Sequence, residues 1–486
     1  MAEVTEVELV EGYVDSVTLM QVSSAVAATP GVLAAQVAMG TELNREVLRG
    51  MGFELPERTG PTDVVVALRA ESAEALEAGR AAVRDELAAL ARRTPDAGPG
   101  TAETAPRTLA VAAGRGAGLA LVTVPGEHAA VQAWDALRAG LHVMVFSDNV
   151  AVEDEVALKD AAAEADLLVM GPDCGTAVVG GAALGFANAV RRGPVGVVAA
   201  SGTGAQQVMC LLDAAGLGMS HCLGLGGRDL SAAVGGRSAR QALAALDDDP
   251  GTSSIVVVSK PPAPEVRSAL VEYAGTLGTP VHWATLSPDT PDLTASLEAA
   301  LTGEGFPLPQ WPSWVSPAEP RPGPLRGLYC GGTLADEAML LASPELGGIR
   351  SNIPLDESLA VGESLDHDGH LVLDFGEDEL TRGRAHPMID PTVRLERIAR
   401  ELADDRPGML LLDLVLGHGG HPDPAPALAD AVRGAGCPVV VALVGTSDDP
   451  QDLDRSARLL HEAGASVFLS NAQAVRHALS LLEEAR

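Results

Sequence analysis

Two short stretches carry the residue types that bind anions. Ser201, Gly202, Thr203 and Gly204 follow the apolar run 195–200 and open the helical pattern "AQQVMCLL"; Gly331, Gly332 and Thr333 follow "LRGLYC" and open "LADEAMLLAS". Glycines let a backbone approach a ligand closely, and a helix N-terminus offers unpaired N–H groups at the positive end of its dipole. Phosphate is the anion that such turns suit. Each could also be a plain strand-to-helix turn with Ser201 or Thr203 as N-cap. Lys260 ends the apolar run "SIVVVSK" before Pro261 and Pro262. Open α/β sheets present ligands at strand C-termini, where a lysine can neutralise a leaving phosphate; otherwise it is a solvated lysine.

Other candidates sit past strand-like runs. Asp173 and Cys174 lie in "MGPDCGT", where Asp173 either contacts the anion or shapes the loop and Cys174 is structural. Arg228 and Asp229 in "GLGGRDL" read as a pair with each other. His386 stands in "GRAHPMIDP" beside Arg384 and Asp390, as a proton shuttle or an anion clamp shared with Arg384. His418 and His421 in "LGHGGHPDP", with Asp423, have a weak metal-like spacing, and no metal is assigned to them; one of them could face the site.

The elements that must position these groups follow from pattern. The chain has 486 residues, 47% apolar and 3% aromatic, with a net charge of −33. That length fits several domains. The charge repels nucleic acid and anionic membrane surfaces, and the scarcity of aromatics argues against base stacking. Five cysteines, 174, 210, 222, 330 and 437, are scattered without close pairs, so no disulfide framework or zinc site is expected. The N-terminus has no signal-peptide pattern, and no apolar run approaches the ~18 residues of a membrane span. A cytoplasmic protein is the expectation.

Four segments separate at Pro/Gly-rich seams. Residues 1–92 read as a small α+β domain, with Asp15 capping its first helix and Gly31 past that helix's end. A flexible linker, "TPDAGPGTAETAP", follows. Residues 107–192 alternate apolar strands and helices, which implies a parallel sheet, without a GxGxxG fingerprint. Residues 193–305 and 325–486 repeat that rhythm on either side of a second linker, "FPLPQWPSWVSPAEPRPGP". These last two segments look like copies of one unit. Each runs strand, small residues with glycine and threonine, then amphipathic helix. A duplication would aim two like helix N-termini at one anion.

These stretches, with "FSDNVAVEDEVALKDAA", "GLGGRDLSAAVGG", "VSKPP" and "GRAHPMIDPT", resemble the FdrA family of the succinyl-CoA synthetase superfamily over nearly the whole chain. The resemblance implies an α/β fold. A truncated CoA-binding-like Rossmann domain (107–192) would be followed by two flavodoxin-like ligase domains, behind the small N-terminal domain. The first of the two (193–305) is of α-subunit type, and the second (325–486) is like the C-terminal domain of the β-subunit. There is no room for an ATP-grasp domain. In the synthetases the two Gly-rich turns aim at a phosphohistidine in a Gly-His-Ala-Gly loop. After "PVHWATL" this chain has "SPDTPDL", and Lys260 stands where the synthetases carry a glutamate-bearing turn.

The FdrA resemblance implies a subunit of an oxamate carbamoyltransferase in ureide breakdown, exchanging oxalurate and phosphate for oxamate and carbamoyl phosphate. Small anionic substrates and other subunits of a hetero-oligomer would be its partners, with no cofactor required. Two alternatives stay open. One is an acid–thiol ligase component that uses CoA and borrows an ATP-grasp partner. The other is a non-catalytic scaffold that binds a nucleotide-like ligand.

Overall fold

Apolar strands that alternate with helices build one parallel sheet and two mixed sheets whose central strands are parallel, as that rhythm requires. The computed structural model describes residues 3–11, 14, 16–56, 58–93, 105–381, 384–404 and 406–485. Asp15 and most of the first linker lie outside them.

The N-terminal segment is β1 (Val4–Glu11), α1 (Ser16–Ala27), β2 (Val32–Met39), α2 (Glu42–Gly50), β3 (Asp63–Ala70) and α3 (Ala73–Arg93). Its sheet is antiparallel in the order β1-β3-β2. Leu19, Val22, Val26 and Val83 bury one face, and Leu48 and Phe53 pack against Val65 and Ala67 on the other. Gly31, at φ +82°, turns the chain just past α1, which only glycine does without strain.

Next come α4 (Leu109–Gly114), β4 (Leu119–Val122), α5 (Gly126–Arg138), β5 (His142–Val145), α6 (Val152–Glu164) and β6 (Val169–Met170), a three-stranded parallel sheet. They are followed by β7 (Thr176–Val179), β8 (Ala182–Gly185), β9 (Arg192–Ala200), α7 (Gly202–Ala214), β10 (Met219–Gly224), α8 (Arg237–Asp247), β11 (Ser254–Ser259), α9 (Pro264–Ala274), β12 (Val281–Thr285) and α10 (Leu293–Gly303). This sheet runs β12-β11-β9-β10-β7-β8, with β7 antiparallel to β10. It therefore takes in a hairpin, β7–β8, from before residue 193.

The last sheet is assembled from β13 (Ser313–Trp314), β14 (Leu325–Tyr329), α11 (Gly332–Leu346), β15 (Arg350–Ser351), β16 (Leu371–Asp374), α12 (Asp378–Thr381), α13 (Thr392–Ala403), β17 (Met409–Val415), α14 (Ala425–Val432), β18 (Val439–Val444), α15 (Leu453–Glu462), β19 (Ser466–Phe468) and α16 (Asn471–Glu484). Its order is β13-β19-β18-β17-β14-β16-β15. The second linker is therefore partly ordered structure. Trp311 is buried, its indole N–H donates to Glu298 Oε1 at 2.7 Å, and β13 pairs with β19 as an edge strand, where prolines on either side do no harm. Residues 1–107 and 378–390 form one compact unit; residues 108–377 and 391–486 form the other.

Within the second unit the two large sheets are built alike. In each, the strand before the Gly-rich turn lies between two strands that come later in the chain, β10 and β11 around β9, β16 and β17 around β14. That is a topological switch point, and in open α/β sheets ligands bind at the C-terminal ends of the strands at such a point. The likeness extends to side chains. Six residues past the N-cap of α7, Gln207 Oε1 accepts the Asn471 N–H that starts α16, at 2.9 Å. Six residues past the N-cap of α11, Glu337 Oε1 accepts the Leu293 N–H that starts α10, at 2.7 Å. Each lobe thus caps the other's last helix.

Glu337 is 1% exposed, and its Oε2 accepts from Asn471 Nδ2 at 2.7 Å. Glu337→Gln turns an acceptor into a donor facing a donor. We expect it to cost about 1–3 kcal/mol of stability, read from denaturant midpoints at constant slope. An unchanged midpoint would show that the reciprocal caps do not hold the lobes.

Candidate functional site

The Gly-rich turns meet. Ser201 Oγ and Thr333 Oγ1 are 2.6 Å apart and hydrogen-bonded. A Cβ on Gly331 would lie 2.8 Å from the Thr203 side chain, and one on Gly204 would lie 3.1 Å from Thr333 Cγ2. The first turns of α7 and α11 are therefore in contact, and glycine is what lets them approach. Ser201 is the N-cap of α7, its Oγ accepting from Gly204 N–H at 2.9 Å. Gly331 is the N-cap of α11, and no side chain caps that helix. The N-cap reading thus holds at Ser201, whereas the first N–H groups of α11 receive no side-chain cap.

Lys260 reaches this mouth from the end of β11. Its Nζ lies 3.1 Å from Asp336 Oδ2 on α11 and 3.2 Å from where a Cβ on Gly332 would stand. Asp374 closes the other side from the end of β16, its Oδ2 only 2.7 Å from that same point. Burial pulls the Lys260 ammonium pKa down, but the carboxylates of Asp336, Asp374 and Glu377 overcome this and hold it above its ordinary value. Lys260 is therefore a fixed cation. Burial raises Asp336 against the pull of Lys260. Asp374 is pushed up to about 7 by burial, which outweighs the Gly376 N–H and Lys260, with Asp413 and Glu377 adding to the rise. The mouth of α11 thus combines free N–H groups, one ammonium and one carboxyl that titrates near neutrality. Sequence reasoning passed over Asp336 and Asp374, although the latter ends the apolar run "LVLD" at the edge where ligands bind.

The other candidates fall elsewhere. Asp173 is exposed, its N–H donating to Ser147 O at 2.9 Å, on the loop that leads to Thr176; Thr176 Oγ1 is 3.4 Å from the Cβ position of Gly202. Cys174 is buried and its thiol is pushed up to about 12, so it is inert. Arg228 and Asp229 do not pair with each other. Arg228 bonds Glu155 at 2.9 Å, while Asp229 bonds the fully buried Lys159 at 2.7 Å and the N–H groups of Ser238 and Ala239. Helix α6 supplies both partners, Glu155 and Lys159, so each charge of the turn is met by that helix and not by its neighbour.

Arg384 and His386 belong to the first compact unit, with residues 1–107. Desolvation pushes the His386 imidazole down to about 4, and its Nδ1 accepts from Met388 N–H at 3.2 Å. A ring that stays neutral contributes no charge to an anion clamp. His418 is tied by its backbone to Ala187, and His421 Nδ1 accepts from Asp423 N–H at 3.0 Å. Both Asp423 oxygens bond Arg455, at 2.7 and 2.8 Å. No group of three or more metal-ligating side chains is found among the described residues. No helix among them is long and apolar enough to cross a membrane.

Residues 328–481 match the CoA-ligase family, and residues 1–105 match the AllF heavy metal-associated domain. The protein YahF of Escherichia coli (strain K12) is 36% identical over 94% of this chain and 95% of its own length. The succinate–CoA ligase [ADP-forming] subunit alpha of Aquifex aeolicus is 30% identical over 30% of this chain, which spans 48% of that subunit. The solved acetyl-coenzyme A synthetase 1 of Ca. Korarchaeum cryptofilum, in complex with phosphate and ADP, covers 76% of this chain and 84% of its own at 16% identity, with a TM-score of 0.28. The heavy-metal description of the N-terminal domain finds no support in its residues. Positions 1–105 contain neither cysteine nor histidine, so no thiolate or imidazole is present there to hold a soft metal.

Proposed function

Because the chain belongs to the YahF family, an FdrA/AllF-like branch of the succinyl-CoA synthetase superfamily with a CoA-ligase domain, we propose that its duplicated lobes form a phosphate site for group transfer. The reaction is that of an oxamate carbamoyltransferase subunit in cytoplasmic ureide breakdown: phosphate attacks the carbamoyl carbon of oxalurate, giving carbamoyl phosphate and oxamate. One observation carries this reading. The uncapped N-terminus of α11 opens between the fixed ammonium of Lys260 and the carboxyl of Asp374. N–H groups and one ammonium bind an anion directly. Their placement inside a protein of net charge −33 answers the repulsion that a dianion would otherwise meet. The AllF-like domain supports the ureide association. No cofactor is needed, and the remaining subunits are partners still to be identified.

The CoA-ligase match favours a second reading, an acid–thiol ligase component with CoA as substrate and a separate ATP-grasp partner. The two differ in whether a histidine carries phosphate. We expect no acid-labile phosphate on the chain after incubation with ATP, magnesium and a carboxylic acid. Phosphohistidine at His418 or His421 would favour the ligase reading.

A further inference from the structure

We propose that Asp374 is the acid–base group of this site, giving its proton to the departing amide nitrogen as phosphate attacks the carbamoyl carbon. This rests on the carbamoyl-transfer reading above. The geometry singles out this carboxyl. Asp374 is 4% exposed and clamped in place: its N–H donates to Asn352 Oδ1 at 2.9 Å, and Asn352 Nδ2 donates to its carbonyl at 2.7 Å. Oδ1 accepts from Gly376 N–H at 2.8 Å. Oδ2 receives no hydrogen bond from a described residue and lies over the bare face of Gly332, at the uncapped start of α11. The neighbouring carboxyl, Asp336, is occupied by Lys260.

The charged groups around Asp374 are Lys260 from β11, Asp413 from β17 and Glu377 beyond β16; Asp413 is itself paired with Arg394 at 2.9 Å. Their balance with burial leaves the carboxyl at about 7, so both its forms are populated at neutral pH, as a proton shuttle requires. The step balances. The C–N bond of oxalurate breaks and an O–C bond to phosphate forms. The nitrogen takes the proton of Asp374, and the phosphate hydroxyl proton replaces it. The reverse reaction uses the carboxylate as base.

The test measures kcat/KM against pH for the wild type and Asp374→Asn, with the partner subunits present and carbamoyl phosphate binding measured by calorimetry. We expect the wild type to lose oxalurate phosphorolysis as pH rises through about 7. Asp374→Asn should lose about 10²- to 10⁴-fold in kcat, bind carbamoyl phosphate within a few-fold of wild type, and show a flat profile across that limb. Asp374→Ala should recover activity when formate is added. A variant that keeps the wild-type limb, or whose loss lies wholly in binding, overturns the assignment of Asp374 while transfer itself stands. A wild type that neither binds carbamoyl phosphate nor transfers overturns the carbamoyl reading, and this inference with it.

Discussion

Lys260→Ala is expected to fold normally and to lose transfer activity by about 10²-fold or more, the scale of removing one preorganised electrostatic group. Its side chain is 42% exposed, so the core does not depend on it. Its loss leaves Asp336 and Asp374 without their cation, at a mouth that must accept an anion. The effect should therefore exceed that of losing one hydrogen bond to the ligand. Lys260→Arg should rescue poorly, because a planar fork does not replace a compact charge held 3.1 Å from Asp336 Oδ2. Steady-state kinetics of both variants beside thermal melts decide the matter. Near-normal turnover in Lys260→Ala would make the residue a surface lysine tied to Asp336.

The second large effect separates the two Gly-rich turns. At Gly332 a Cβ would lie 2.7 Å from Asp374 Oδ2 and 3.2 Å from Lys260 Nζ, in the space where the ligand must sit. At Gly202 the nearest atom is Thr176 Oγ1 at 3.4 Å, an ordinary van der Waals distance. Gly332→Val should abolish phosphate and carbamoyl phosphate binding, with each N–H blocked from the anion costing about 1–3 kcal/mol. Gly202→Ala should weaken binding only slightly, and Gly202→Val more, through α7. Calorimetry on folded variants reads the contrast. Equal, unchanged affinities in Gly332→Val and Gly202→Val would sink the shared anion site.

The sheets were legible because their strands are continuous apolar runs, such as "VGVVAA" and "MLLLDLV", and only strands buried on both faces need that pattern. The duplication was legible from the small residues before each helix. Its reciprocity through Gln207 and Glu337 was not, since two buried polar residues mid-helix signal nothing until the lobes are placed together. The hairpin β7–β8 was hidden by Gly180 and Gly181, which read as a loop. At the site, Ser201, Thr203, Gly331, Thr333 and Lys260 were visible from their places after strands. Asp336 sits five residues inside the helix pattern, where acidic residues are ordinary, so only the approach of Lys260 gives it meaning. His386 and Arg384 drew attention by residue type alone. Type cannot reveal that His386 is desolvated, nor that its segment groups with the N-terminal domain.

Calorimetric titration of the wild-type chain with carbamoyl phosphate, oxamate and CoA tests the central claim most directly. The account predicts that carbamoyl phosphate binds at one site per chain, that inorganic phosphate competes with it, that Lys260→Ala removes most of that affinity, and that CoA gives no heat. CoA binding together with no response to carbamoyl phosphate or phosphate would contradict it.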